Sequence, residues 1–137
     1  MSDWANDIRM MHLKFGVHEW FEKNKHNKDL MVKWLDFRLS MVQEEYIETM
    51  DAIAAKDPEE IVDGLIDLCV FAIGTLDIMG VDANEAWDRV YDANTSKNVG
   101  IKEGRPNEFG LPDLIKPSGW EAPSHEGNHG HLKNIFE

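Results

Sequence analysis

Cysteine is almost missing from this chain. Of 137 residues only Cys69 carries a thiol, so an internal disulfide is excluded and a reducing compartment is favoured. Cys69 lies in the apolar run LIDLCVFAIG, the setting of a small core residue. Basic residues are scarce as well. Lys and Arg total 14 against 26 Asp and Glu, a formal net charge of −12. Such a surface repels a nucleic-acid backbone and an anionic membrane, and it recruits cations. Long apolar runs are also lacking. The most apolar segment is interrupted by Asp63, Asp67 and Asp77, which argues against a membrane span, and MSDWANDIRMMH holds no apolar leader core. No nucleic acid, no membrane and a cytoplasmic location are therefore expected. What remains is a chain 42% hydrophobic and 9% aromatic, enough for one folded domain with a core.

The first 95 or so residues read as helices. Trp4, Ile8, Met11, Phe15, Val17 and Trp20 recur at three- and four-residue steps, predicting one helix over 4–22 with a bend at Gly16. EKNKHNKD makes a loop, and Asp29 can cap a second helix. Its stripe of Leu30, Trp34, Phe37, Met41, Ile47 and Met50 reaches about Ala55. KDPEE is a strong helix start, with Asp57 at the N-cap, Pro58 at N1 and Glu60 at the third position of a capping box. This third helix should end at Gly80. VDANE repeats the signal for a fourth, up to about Asn94. From 96 to 137 the period is lost, and four of the five prolines lie there. The expected organisation is a helical core over 1–95 and an irregular C-terminal arm over 96–137 of the same domain.

Two clusters of carboxylates fall on the long helices. At about 100° per residue Glu44, Glu45 and Glu48 share one arc. Glu60, Asp63 and Asp67 align at steps of three and four. The helix around Asp63 and Asp67 is apolar nearly all round, so it should be buried. Bare carboxylates there are costly. Like charges 4–6 Å apart repel by roughly 3–4 kcal/mol at an effective dielectric near 20. Arg38 and Lys97 can offset part of this. Mg²⁺ or Mn²⁺, which prefer oxygen ligands, offset more. Each cluster also has a plainer reading. Glu60 serves as a capping residue and Glu59 suits the helix dipole. Glu44 to Glu48 fit a solvated face, and Asp67 fits an ion pair.

EEYIE followed by EIVD, with 11 residues between Glu48 and Glu60, resembles the E-E-x-x-E … E-x-x-D pattern of the MazG-like, all-α nucleoside triphosphate pyrophosphohydrolases. DIRMMHLKFGV resembles the opening helix of that family, with His12, Phe15 and Gly16. FRLSMVQEE resembles its arginine-led approach to the glutamates, with Arg38. NTSK resembles the segment closing its fourth helix, and EGRPNEFGLPDLIKPSGWEAP the arm of phage members related to phosphoribosyl-ATP pyrophosphohydrolase. Within the family the nearest look is to the phage MazZ group, which acts on guanine deoxynucleotides. Asp67 departs from the pattern, since many relatives carry an apolar or aromatic residue there.

The resemblance implies a four-helix bundle that oligomerises through its helices as a homodimer or homotetramer. It also implies a cytoplasmic enzyme, in host cytoplasm if phage-encoded. The activity implied is cleavage of a nucleoside triphosphate, dGTP or GTP, to monophosphate and pyrophosphate. Glu45, Glu48, Glu60 and Asp63 would hold Mg²⁺ or Mn²⁺, with Asp67 a further ligand or support. Glu44 would orient or deprotonate the attacking water. Lys97 and Lys116 would neutralise charge on phosphate oxygens. Asn94 and Arg38 would bind substrate, and Trp120 would stack on the base. The arm would close over the nucleotide. His125, His129 and His131 are expected to lie disordered near the terminus, outside the site. Two other functions stay open: a broad house-cleaning pyrophosphatase, and a non-catalytic helical binding module with a degenerate acidic face.

Overall fold

Short polar side chains start the helices. In the computed structural model, which describes residues 2–137, Asp3 accepts a hydrogen bond from Asn6 N and opens α1, Trp4–Lys14. Asn27 accepts from Leu30 N and opens α3, Lys28–Ala54. Asp57 accepts from Glu60 N and opens α4, Pro58–Ile78. Between α1 and α3 lies α2, Val17–Asn24, and after α4 comes α5, Ala83–Thr95. A two-stranded antiparallel ladder pairs β1, Asn98–Gly100, with β2, Asp113–Ile115. A short α6, Leu132–Ile135, follows. The architecture is all-α, as expected.

Local details differ from the sequence reading. The helix expected over 4–22 is two helices, because Gly16 takes φ +74 and breaks the ladder rather than bending it. Asn27, not Asp29, caps the next helix, since it is the residue three before the free Leu30 N–H. The stretch expected to be a mostly irregular arm with a few fixed contacts also holds the β-ladder, and its last residues are ordered by tertiary contacts. His131 N donates to Met79 O at 2.6 Å. His131 Nε2 donates to Lys25 O and its ring meets Phe21 edge-on. His131 is therefore a fixed structural residue and not part of a disordered tail.

The described chain falls into two compact units. The first runs to Ala83 and includes Gly127–Glu137. Its core joins Phe21, Met31, Ile78, Met79 and Ile135, with Val17, Leu30, Trp34 and Leu132 packed around them. Buried Asn128 doubles this link, donating to Asp82 O and accepting from Asp82 N. The core thus sits where α2, the start of α3, the end of α4 and α6 meet. Towards the α3–α4 turn only small or polar residues are buried, among them Thr49, Ala52 and Gly64. There Ile47, Met50, Ile53, Val62, Leu65 and Ile66 are exposed. The second unit, Asn84–Glu126, contains nearly all of α5 and the ladder. Arg89 closes it by donating to Ser124 O and Glu126 O.

Candidate active site

The register of α3 against α4 decides which acids meet. Arg38 Nε donates to Thr75 Oγ1 at 3.0 Å, and its Nη2 to Phe71 O. One and a half helical turns from the far end, Thr49 faces Gly64, where a Cβ would collide with Thr49 Oγ1. The two helices therefore run antiparallel at close approach, and α3 residues 44–48 face α4 residues 63–67. Glycine at 64 is what lets the backbones come together at the acids.

The electrostatics follow that register. The Glu45 carboxyl is held above the usual carboxylate range. Desolvation is the main cause, and the charges of Glu48, Asp67 and Glu44 add to it, with a Glu48–Glu45 hydrogen bond. Glu44, Glu45, Glu48 and Asp67 are thus brought into one electrostatic group. Asp67 joins it from across the helix pair. The carboxylate of Glu60 stays exposed at the first turn of α4. The reverse half of its capping box is not made, because Asp57 N donates to Ala52 O instead. Asp63 is exposed, which overturns the expectation of burial. The apolar sequence around it forms a helix that this chain alone does not cover.

Among the described residues no lysine or arginine forms an ion pair with Glu44, Glu45, Glu48, Glu60, Asp63 or Asp67. An all-oxygen, partly desolvated and uncompensated donor set fits a hard divalent cation. Arg38 is occupied elsewhere. Besides its two hydrogen bonds it lies 5.8 Å from the Trp34 ring and 5.2 Å from the Phe71 ring, and desolvation lowers its pKa.

The remaining candidates lie in the second unit. Trp120 Nε1 donates to Ala93 O at 2.7 Å, satisfying a carbonyl in the last turn of α5. Lys97 and Lys116 place their ammoniums 5.1 and 5.2 Å from the Trp120 ring centroid. A base stacking on this ring would compete with them. Asn94 is exposed, and its carbonyl accepts from Lys97 N. Asn94, Lys97, Lys116 and Trp120 therefore form one corner of their own unit. Sequence reasoning missed a different convergence, of His12, His18 and Asp77. No local pattern could have found it, because 65 residues separate His12 from Asp77.

Two antiparallel helices sharing a carboxylate face mark the candidate site of an all-α protein. A profile of the phosphoribosyl-ATP pyrophosphohydrolase family matches residues 16–94. The chain belongs to that family, a branch of the MazG-like all-α nucleoside triphosphate pyrophosphohydrolases. Membership implies a pyrophosphohydrolase acting on a nucleotide, in a family that generally uses divalent metals. No curated protein and no solved structure matches the chain. Among the described residues no single helix is long and apolar enough to cross a membrane.

Proposed function

We propose that the chain cleaves a nucleoside triphosphate, dGTP or GTP, to the monophosphate and pyrophosphate with the help of Mg²⁺ or Mn²⁺. The observation that carries this reading is the uncompensated cluster of Glu44, Glu45, Glu48 and Asp67, whose charges add to the desolvation that holds the Glu45 carboxyl above its usual range. A triphosphate adds about four negative charges to a protein already at −12, so substrate and site need a shared cation. Glu45, Glu48, Glu60 and Asp63 would hold it, with Asp67 in support. When bound, it supplies charge neutralisation and polarises phosphate oxygens. Glu44, next to Glu45 on α3, accepts a proton from the attacking water. Lys97 and Lys116 carry charge that can meet phosphate oxygens, and Asn94 offers an amide to phosphate or sugar. The guanine preference rests on the resemblance of the sequence to the phage MazZ group. A guanine-reading site leaves its own polar groups unpaired with other bases, which is a strong basis for rejection.

A homodimer or homotetramer belongs to the same reading. The exposed Ile47, Met50, Val62 and Ile66 lie on the acid-bearing stretches of α3 and α4, and a second copy would cover them. The deciding experiment is a panel of all NTPs and dNTPs, with phosphoribosyl-ATP included. Pyrophosphate and phosphate are measured separately, for wild type, Glu48→Gln and Asp63→Asn. Pyrophosphate from dGTP and GTP, lost in both variants with the fold intact, is expected. Equal kcat/KM across dGTP, dCTP and dTTP would instead mean a broad house-cleaning enzyme. Absence of turnover on every nucleotide would leave a binding module.

A further inference from the structure

The first unit holds a second group of metal-ligating side chains, remote in sequence from the acidic motifs. His12 on α1, His18 on α2 and Asp77 on α4 point one atom each at a common centre, all within 4.8 Å of one another. His12 Nδ1 and His18 Nε2 each lie 2.8 Å from the same oxygen, Asp77 Oδ2. The side chains are 8%, 26% and 12% exposed in that order. The two rings are edge-on, with centroids 6.0 Å apart. Gly74 makes room for the His12 ring, since a Cβ there would sit 3.0 Å from His12 Cε1.

Hydrogen bonding does not account for the whole arrangement. His12 Nδ1 is well placed to donate to Asp77 Oδ2. His18 Nε2 is at the same distance yet out of line for a hydrogen bond, and this buried nitrogen has no other partner among the described residues. An orphaned buried nitrogen beside a carboxylate and a second imidazole is what a ligand set without its ion looks like. The dimensions suit a small ion. Zinc bonds of about 2.0–2.1 Å in tetrahedral array set ligand atoms about 3.3 Å apart. The two 2.8 Å nitrogen–oxygen separations lengthen by about half an ångström to reach that spacing.

We propose that His12, His18 and Asp77 form a binding site for a borderline divalent transition ion of the Zn²⁺ class, a brace that ties α1, α2 and α4 together. Two imidazoles and one carboxylate select Zn²⁺, Co²⁺ or Ni²⁺ over Mg²⁺. Arg38 strengthens that choice. A Cβ on Gly74 would be 2.7 Å from Arg38 Nη2, so a fixed positive charge shares the neighbourhood. A hard cation bound by charge alone is disfavoured there, whereas imidazole ligation survives it. The site does not depend on nucleotide hydrolysis and uses none of the acids assigned to it.

The test uses the full chain, stripped of metal with a chelator. Zn²⁺ is titrated against a chromophoric competitor with excess Mg²⁺ present, and Co²⁺ is followed by its visible absorption. One tight Zn²⁺ per chain, a tetrahedral Co²⁺ spectrum and a Zn²⁺-dependent rise in Tm are expected. His18→Ala and Asp77→Asn should weaken Zn²⁺ binding by more than roughly tenfold, since even outer partners of metal ligands are worth that much. The Glu48→Gln/Asp63→Asn double variant should bind as wild type does. His18 is the most exposed of the three, so His18→Ala decides the matter if Asp77→Asn does not fold. Wild type without tight Zn²⁺ overturns the proposal. So does a folded His18→Ala that binds unchanged, or binding lost only in the acidic-site double variant.

Discussion

Replacing Gly64 by alanine tests the register that brings the acids together. Two effects oppose each other. Alanine is favoured over glycine inside a helix by about 1 kcal/mol. Against that, the new Cβ collides with Thr49 Oγ1 and sits 3.2 Å from Thr49 Cβ. Thr49 is buried, β-branched and tied by its hydroxyl to Glu45 O at 2.7 Å, so it cannot turn away cheaply. Overpacking of this kind costs about 1–3 kcal/mol. The net expectation for Gly64→Ala is a loss of about 1 kcal/mol, read by urea unfolding with an unchanged m value. Relief should come from Thr49→Ala, which removes the hydroxyl. The double variant should be more stable than the two single effects predict, by about 1–2 kcal/mol. In Gly64→Ala the helices part beside Glu45 and Glu48, so half-maximal pyrophosphate release should need more Mg²⁺. A Gly64→Ala protein stabilised by the full propensity gain, and additive with Thr49→Ala, would refute the close approach of α3 and α4.

Glu45→Gln tests the repulsion. A carboxyl whose folded pKa is raised binds its proton more tightly when folded, so stability falls as pH rises through that raised value and stays lower above it. At neutral pH without metal the variant should be more stable, by about 1 kcal/mol or less in a water-like dielectric, and should melt higher. The gain should vanish in acid, where Glu45 is protonated, and a lower melting point at neutral pH would contradict the clustering. Ile135→Ala tests the docking of α6. It opens a cavity against Phe21, Met31, Ile78 and Met79 and should cost about 2–4 kcal/mol; an unchanged Tm would mean that the terminal segment does not stabilise the core. Trp120→Phe keeps the ring beside Lys97 and Lys116 but deletes the bond to Ala93 O. The second unit should lose about 1 kcal/mol, seen as faster limited proteolysis within residues 84–126, and equal rates would show that the indole N–H anchors nothing.

What the sequence makes legible is what local chemistry decides. Asp57, Pro58 and Glu60 mark the start of α4 within four residues, and the Asp57 half of the capping box forms as read, while Asp57 N turns to Ala52 O instead of Glu60. The acids are on the right helices because a 3.6 period suffices to place them. Near ties are harder. Asn27 and Asp29 are both good caps two residues apart, and only the register of Leu30 N separates them. Gly16 allows a bend or a break, and the packing of α2 chooses the break. The docking of the C-terminal segment was not legible. Leu132 and Ile135 are lone apolar residues in polar sequence, and their place is fixed by Met79 and Phe21, far back in the chain. His12, His18 and Asp77 are hidden for the same reason.

The exposure of Asp63 shows where periodicity stops being informative. An apolar helix must be covered, but its sequence does not say by what. Here Val62, Leu65 and Ile66 surround Asp63 in sequence and all are exposed. Within the proposed assembly the two needs conflict. The apolar residues gain from burial at about 25 cal/mol per Å², while the carboxylates beside them lose hydration and crowd one another. A cation on the acids removes most of that opposition. Association and metal binding are then favourable to each other, and by linkage each strengthens the other equally. The weak electrostatic strain at Glu45 in the single chain is the small beginning of that coupling, since desolvation, its leading cause, is the quantity a second subunit would increase.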